Sequence, residues 1–182
     1  MAATIALEIV TPDGVRLNED VAELTAPSVD GEFGVLPGHR PMLAALATGI
    51  VSYIREGEKH AVAVGGGFVE VSDDKALLLT DRFIRKDDID PVLVRKELKE
   101  VDDAIDHFQG SLTGPEYGAL VARELWAAAQ LELYGDPPPP RVRTTSELMF
   151  DAPENYTALG DEQIGDDATA AVAKPEAPSG AH

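Results

Sequence analysis

The sequence predicts a small β domain, then an antiparallel two-helix hairpin, then a disordered acidic tail. Three observations predict this order. Short alternating apolar runs succeed one another to residue 86, broken by Gly, Pro and Asp at roughly 8–12 residue intervals. At Asp88 the apolar period changes from two to a helical one. Beyond Pro137–Pro140 no period survives and the composition turns acidic, with Ala, Pro and Gly in excess. The predicted boundaries are 1–86 for the β domain, 87–135 for the hairpin and 136–182 for the Pro-rich linker and tail.

Thr4–Thr11 alternates, with Ile5, Leu7 and Ile9 on one face, as a half-buried strand does. Pro12-Asp13-Gly14 is a turn in which Pro fixes φ and Gly accepts a positive one. Further strands are predicted at Val15–Leu17, Val21–Ala26, Gly34–Leu36, Ile50–Ile54, His60–Val64, Phe68–Val71 and Ala76–Thr80. Asp30-Gly31, Pro37-Gly38, Glu56-Gly57-Glu58, Gly65-Gly66-Gly67 and Asp73-Asp74 separate them. Many short strands with regular turns form a sandwich or a barrel.

Asp90-Pro91 reads as an N-cap followed by proline in the first turn. Val94, Leu98, Val101, Ile105 and Phe108 then mark one face of a helix over 91–109, with Gly110 as its stop. Thr113 and Glu116 have capping-box spacing and open a second helix over 115–134. Its apolar stripe is Tyr117, Val121, Leu125, Ala128 and Leu131, and Ala127–Ala129 are small enough for close approach. The short join between the helices makes them antiparallel. Gly135 and Pro137–Pro140 end the second one. Ser146–Phe150 is the tail's one apolar cluster.

Charge and composition exclude several functions. The formal net charge is -18. Residues 1–85 hold 13 acids and 7 bases, 86–135 hold 11 and 5, and 136–182 hold 9 and 3. Each stretch is therefore equally negative, and no clustered basic face exists for nucleic acid or for an anionic lipid surface. A partner with basic patches is the natural complement. The absence of cysteine removes disulfides, thiolate metal sites and Cys nucleophiles together. No apolar run is long enough to span a bilayer, and the N-terminus has neither a secretory signal nor an Arg-rich transit pattern.

Chemical motifs are sparse. Gly65-Gly66-Gly67 leads into a strand instead of a helix and lacks the P-loop lysine, so it reads as a tight turn or bulge. None of His39, His60, His107 and His182 stands at helical ligand spacing from another. His39 sits in a Pro-Gly-His-Arg-Pro turn that displays one imidazole. Asp87, Asp88 and Asp90 cluster where the helix macrodipole already accounts for acids. No catalytic residue, metal or cofactor is expected. Two further readings are a stand-alone β-sandwich ligand-binding module and a hydrolase with a carboxylate pair. The first wants exposed aromatic platforms, whereas Trp126 lies on a helix; for the second, nothing places two carboxylates in unlike environments.

Two segments resemble a known family. The first is Asp30-Gly31-Glu32-Phe33-Gly34-Val35-Leu36-Pro37-Gly38-His39-Arg40-Pro41-Met42. The second is Gly65-Gly66-Gly67-Phe68-Val69-Glu70-Val71, with Ala76–Asp81 after it. In this order and spacing they resemble the epsilon subunit of F-type ATP synthases, the delta subunit in mitochondria, and Leu7–Pro12 looks like that family's first strand. The match covers residues 1–135. The resemblance implies a ten-stranded β-sandwich with a C-terminal hairpin. It implies a non-catalytic place in the central stalk, coupling rotation of the c-ring to ATP synthesis. Its partners would be the gamma subunit, the c-ring and the alpha/beta catalytic head. Its location would be peripheral, on the cytoplasmic face of the bacterial inner membrane. In many bacteria the hairpin extends into the head and blocks ATP hydrolysis.

By position, the resemblance makes Glu32 the acid facing the c-ring loops and His39 the turn histidine near gamma. Gly31, Gly34 and Gly38 would supply the turn geometry, and Arg40 stands beside the histidine. Some members bind ATP on the hairpin through an Ile/Leu-Asp-x-x-Arg-Ala motif. Here Leu93 stands in place of the arginine and Val94 in place of the alanine. Arg123 is the only base of the second helix, so arrest through basic contacts with the head is weakened too. The tail has no counterpart in the usual family pattern.

Overall fold

The computed structural model of the protein describes residues 3–139. Ten strands come first: β1 (Ile5–Thr11), β2 (Gly14–Val21), β3 (Glu23–Ser28), β4 (Gly31–Val35) and β5 (Met42–Leu46), then β6 (Gly49–Arg55), β7 (Glu58–Val64), β8 (Gly67–Ser72), β9 (Lys75–Thr80) and β10 (Phe83–Arg85). A single 3-10 turn over Lys86–Asp88 leads into α1 (Pro91–Asp106) and α2 (Pro115–Tyr134). The expected β-sandwich followed by a helical hairpin is the fold observed.

Hydrogen bonding runs in the order β10-β7-β6-β3-β5-β8-β9-β1-β2, with β4 on β3. β1 and β9 pair in parallel, and the other pairs are antiparallel. β3 and β5 share only the Ser28–Leu46 pair, and there the sheet turns from one layer to the other. Alternation buries Ile5, Leu7 and Ile9 of β1 against Leu24, Val35, Val51, Val62, Val69 and Leu78. This core is aliphatic apart from Tyr53, whose ring stacks on His60 with centroids 5.4 Å apart.

Two strands lack a sequence signal. β5, Met-Leu-Ala-Ala-Leu, has no polar alternation to reveal it, and β10 is only three residues long. β2 extends past Leu17 through Asn18-Glu19-Asp20, because an edge strand tolerates a polar outer row. β4 starts at Gly31, so Gly34 lies inside a strand and not in a turn.

The Asp90 carboxylate caps α1, accepting the Val92 and Leu93 N–H groups at 3.0 and 3.2 Å. α1 ends at Asp106, three residues short of the expected Gln109. There the chain leaves the helix so that Phe108 can pack on Tyr117, with ring centroids 5.4 Å apart. Gly110 is not the helix stop; a Cβ there would lie 2.6 Å from the Phe108 ring. The Thr113 capping box does not form. Gly114 is the N-cap, without a side-chain bond, because Pro115 at the first helical position holds Gly114 extended. Thr113 Oγ1 instead lies 3.0 Å from Ser111 Oγ.

Burial on α2 matches the expected stripe only in part, with Tyr117 and Leu131 buried. Leu125 is 47% exposed, while Ala127, Ala129, Gln130, Leu131 and Leu133 are buried. The cause is cover on two sides. α2 packs along α1 and also against β6 and β7. Ala127, Ala129, Leu131 and Leu133 cluster with Ala63, Ile89 and Val94, and Ile50, Ala61, Ile84 and Trp126 close the edge. Gly135 ends α2 in the left-handed region (φ +104), with its N–H on Glu132 O and the Asp136 N–H on Leu131 O. Residues 140–182, including the Ser146–Phe150 cluster, lie outside the described residues.

Candidate functional site

The two ends of β4 carry the residues expected to make contacts. At one end is the β3–β4 tip. Ser28 Oγ–H donates to Gly31 O at 2.7 Å and accepts the Asp30 N–H at 3.2 Å. Gly31 takes φ +119, and Glu32 comes next as the second residue of β4, exposed and paired across to Pro27. At the other end Leu36–His39 forms a tight turn closed by His39 N–H to Leu36 O at 3.0 Å. Pro37 and Gly38 (φ +78) occupy its centre, the residue types and φ that a type II turn requires. The Gly38 N–H donates to Asp74 Oδ1 at 2.6 Å, which ties this turn to the β8–β9 turn.

His39 is half-buried, and its Nδ1 lies 2.8 Å from Arg40 O. A carbonyl only accepts, so Nδ1 carries a proton. Arg40 is exposed. Glu32 and His39 therefore do not form one cluster. The strand from Glu32 to Val35 alone spans about 10 Å. No bond orients one group on the other, as general acid–base work would need. Among the described residues no group of three His, Cys, Asp or Glu could hold a metal.

At the positions where the hairpin departs from the nucleotide motif, Val94 is buried towards α2 and Leu93 is 63% exposed. Arg95 is engaged elsewhere: its Nε and Nη2 reach Asp136 Oδ2 at 2.8 and 2.7 Å. Arg123 reaches Glu97 Oε1 at 3.3 Å.

The sheet face supplies a feature that the sequence does not announce. On the outer side of β6, β7 and β10, Ile50, Ala61, Ala63 and Ile84 lie under α2. On the outer side of β5, β8, β9, β1 and β2, an apolar row runs straight across five strands. Ala45 pairs with Phe68, Phe68 with Leu79, Leu79 with Val10, and Val10 with Val15. Phe68 is 59% exposed, Leu79 48% and Val15 57%, and Leu43 in the adjoining row is 73% exposed. At strand spacing the row is about 19 Å long. Glu70 and the Glu8–Lys75 ion pair (2.7 Å) border it. Contiguous exposed apolar strips with polar borders recur at protein, membrane and ligand contact sites. Its only sequence signal is an apolar residue at each outward position, which alternation alone reads as noise.

Comparison with known proteins agrees with this architecture. The family described as ATP synthase, Delta/Epsilon chain, beta-sandwich domain matches residues 4–86. An ATP synthase epsilon chain of Nitratidesulfovibrio vulgaris (strain DP4) is 44% identical over 114 residues, covering 59% of this chain and 85% of that one. One from Anaeromyxobacter dehalogenans (strain 2CP-1 / ATCC BAA-258) is 35% identical over 131 residues, covering 72% and 98%. A chain in the cryo-EM structure of the Euglena gracilis mitochondrial ATP synthase (OSCP/F1/c-ring, rotational state 1) superposes with a TM-score of 0.55 at 27% identity. That superposition covers 72% of this chain and 78% of the other.

Proposed function

Because the chain belongs to the ATP synthase delta/epsilon family, we propose that it serves as the non-catalytic central-stalk subunit that couples c-ring rotation to ATP synthesis. The gamma subunit docks on the apolar row Ala45–Phe68–Leu79–Val10–Val15 and on the turn that presents His39. Glu32, at the far end of β4, faces the polar loops of the c-ring, where an acid on an exposed tip pairs with a loop arginine. The subunit is peripheral, held at the cytoplasmic face of the bacterial inner membrane through the complex. Among the described residues no helix is long and apolar enough to cross a membrane.

The observation that supports this reading is the unequal cover of the two outer faces. The hairpin covers one, and the other keeps its apolar row open. The test is binding of the full chain to purified gamma. Phe68→Asp with Leu79→Asp replaces exposed side chains, so the fold is retained while affinity falls by at least tenfold, the effect of losing about 1.4 kcal/mol. Unchanged affinity overturns the assignment of this face.

The hairpin's part is control of hydrolysis through the alpha/beta head. It requires α2 to leave β6 and β7. ATP hydrolysis by the reconstituted complex with the full chain, with 1–136 and with 1–86 tests this; equal rates refute it.

A further inference from the structure

The contact between α2 and the sheet draws heavily on small side chains. Ala61 and Ala63 of β7 share one apolar cluster with Ala127 and Ala129 of α2. Alanine buries little apolar area, so a further contact at the edge of this one weighs heavily. Trp126 stands at that edge, half-buried against the same cluster. The Arg82 guanidinium lies over its ring, 5.8 Å from the ring centroid. At that distance a cation is attracted to the face of an aromatic ring, and indole attracts it best. Arg82 Nε also stands 3.7 Å from Asp81 Oδ2.

The turn that carries Arg82 is pinned on its backbone. The Asp81 N–H donates to Gly66 O at 3.2 Å, and the Gly65 N–H donates to Arg82 O at 2.9 Å. The buried Thr80 hydroxyl lies 3.0 Å from both the Gly65 and the Arg82 carbonyl oxygens. Gly65 leaves room for this arrangement: a Cβ there would collide with Asp81 Oδ1 and come within 3.1 Å of Arg82 Cβ. All these bonds lie within the sandwich, so the base of the Arg82 side chain is set without help from α2. A group placed in advance loses less freedom when its partner arrives.

We propose that Arg82, presented by the turn between β9 and β10, is a latch that closes on Trp126 and holds the hairpin on the sandwich. It sets how often α2 stands away from β6 and β7. The latch rests on the reading above, in which α2 leaves the sheet to control hydrolysis. It is tested on the chain alone, so its failure is distinct from failure of that reading, which the ATPase rates of the complex report.

Hydrogen exchange of the full chain reads the opening of α2. Arg82→Gln removes the charge and keeps most of the stem. It should speed exchange of the α2 amides by about two- to fivefold, the effect of losing an exposed cation–π contact, while β1, β8 and β9 exchange as before. Trp126→Leu should do the same, and Arg82→Gln added to Trp126→Leu should speed α2 no further. Trp126 is the chain's only tryptophan, so its emission reports the same opening. Acrylamide, a neutral quencher indifferent to the lost charge, should quench it more in Arg82→Gln, with Arg82→Lys nearer to the parent. Unchanged α2 exchange in Arg82→Gln overturns the latch. So does equal speeding in the Trp126→Leu background, which would make Arg82 a support of its own turn. Equal speeding of the β1, β8 and β9 amides also overturns it, since Arg82 would then support the whole sandwich.

Discussion

Single atoms decide some positions. A Cβ on Gly67 would lie 1.9 Å from the Leu79 carbonyl oxygen, and that oxygen belongs to the neighbouring strand, so nothing flexible can yield. Gly67→Ala should cost about 3 kcal/mol. In urea it lowers the midpoint at unchanged slope. Gly67 is thus a position of close backbone approach, which the tight turn or bulge expected from Gly65-Gly66-Gly67 does not specify. Tyr53 is a second case. Its phenol is pushed above its ordinary 10.0, first by burial and then by Glu19, with Arg55 and Arg85 opposing. The fold favours the neutral phenol, so this stabilisation is intact below about pH 10 and is lost as pH rises through the higher folded value. Melting temperatures should fall more steeply above pH 10 in the parent chain than in Tyr53→Phe; parallel curves would contradict this.

Elements show how context overrides local pattern. The α1 seam is legible because one partner, α2, covers it; Val94 and Val101 are buried as spaced. The α2 stripe misleads because the helix has two partners, and burial spreads to Ala127, Ala129 and Gln130. Periodicity reports one covered face and blurs when a second is added. Ala127 is 0% exposed at the sheet contact. Ala127→Phe should therefore lift α2 from β6 and β7 at a cost of about 1–3 kcal/mol. Hydrogen exchange would show α2 amides losing protection while β1, β8 and β9 keep theirs. Uniform loss would mean that helix and sheet unfold as one unit. Among the strands, β5 stays hidden because its alanines carry little β preference and its register is set by β8.

For the whole molecule, the sandwich core draws only on residues between Ile5 and Phe83, and the hairpin contributes none of them. The fragment 1–86 should fold cooperatively alone, with Ile50, Ala61, Ala63 and Ile84 newly exposed. Calorimetry giving no cooperative transition would refute this. Every third of the chain is acidic, which leaves the open apolar row as the attractive surface and the negative field as a filter on partners.

Local chemistry determined much of this protein by itself. Alternation set β1, β6, β8 and β9, Asp90 set the start of α1, Pro37-Gly38 set the His39 turn, and the paired motifs indicated the family. Tertiary structure alone decided that Glu32 and His39 sit at opposite ends of β4, that α2 lies on β6 and β7, and that Phe68, Leu79, Val10 and Val15 line up. The physical reason is range. Turns and caps depend on neighbours within four residues, whereas an apolar row exists only once strand register brings residues 10, 15, 68 and 79 side by side.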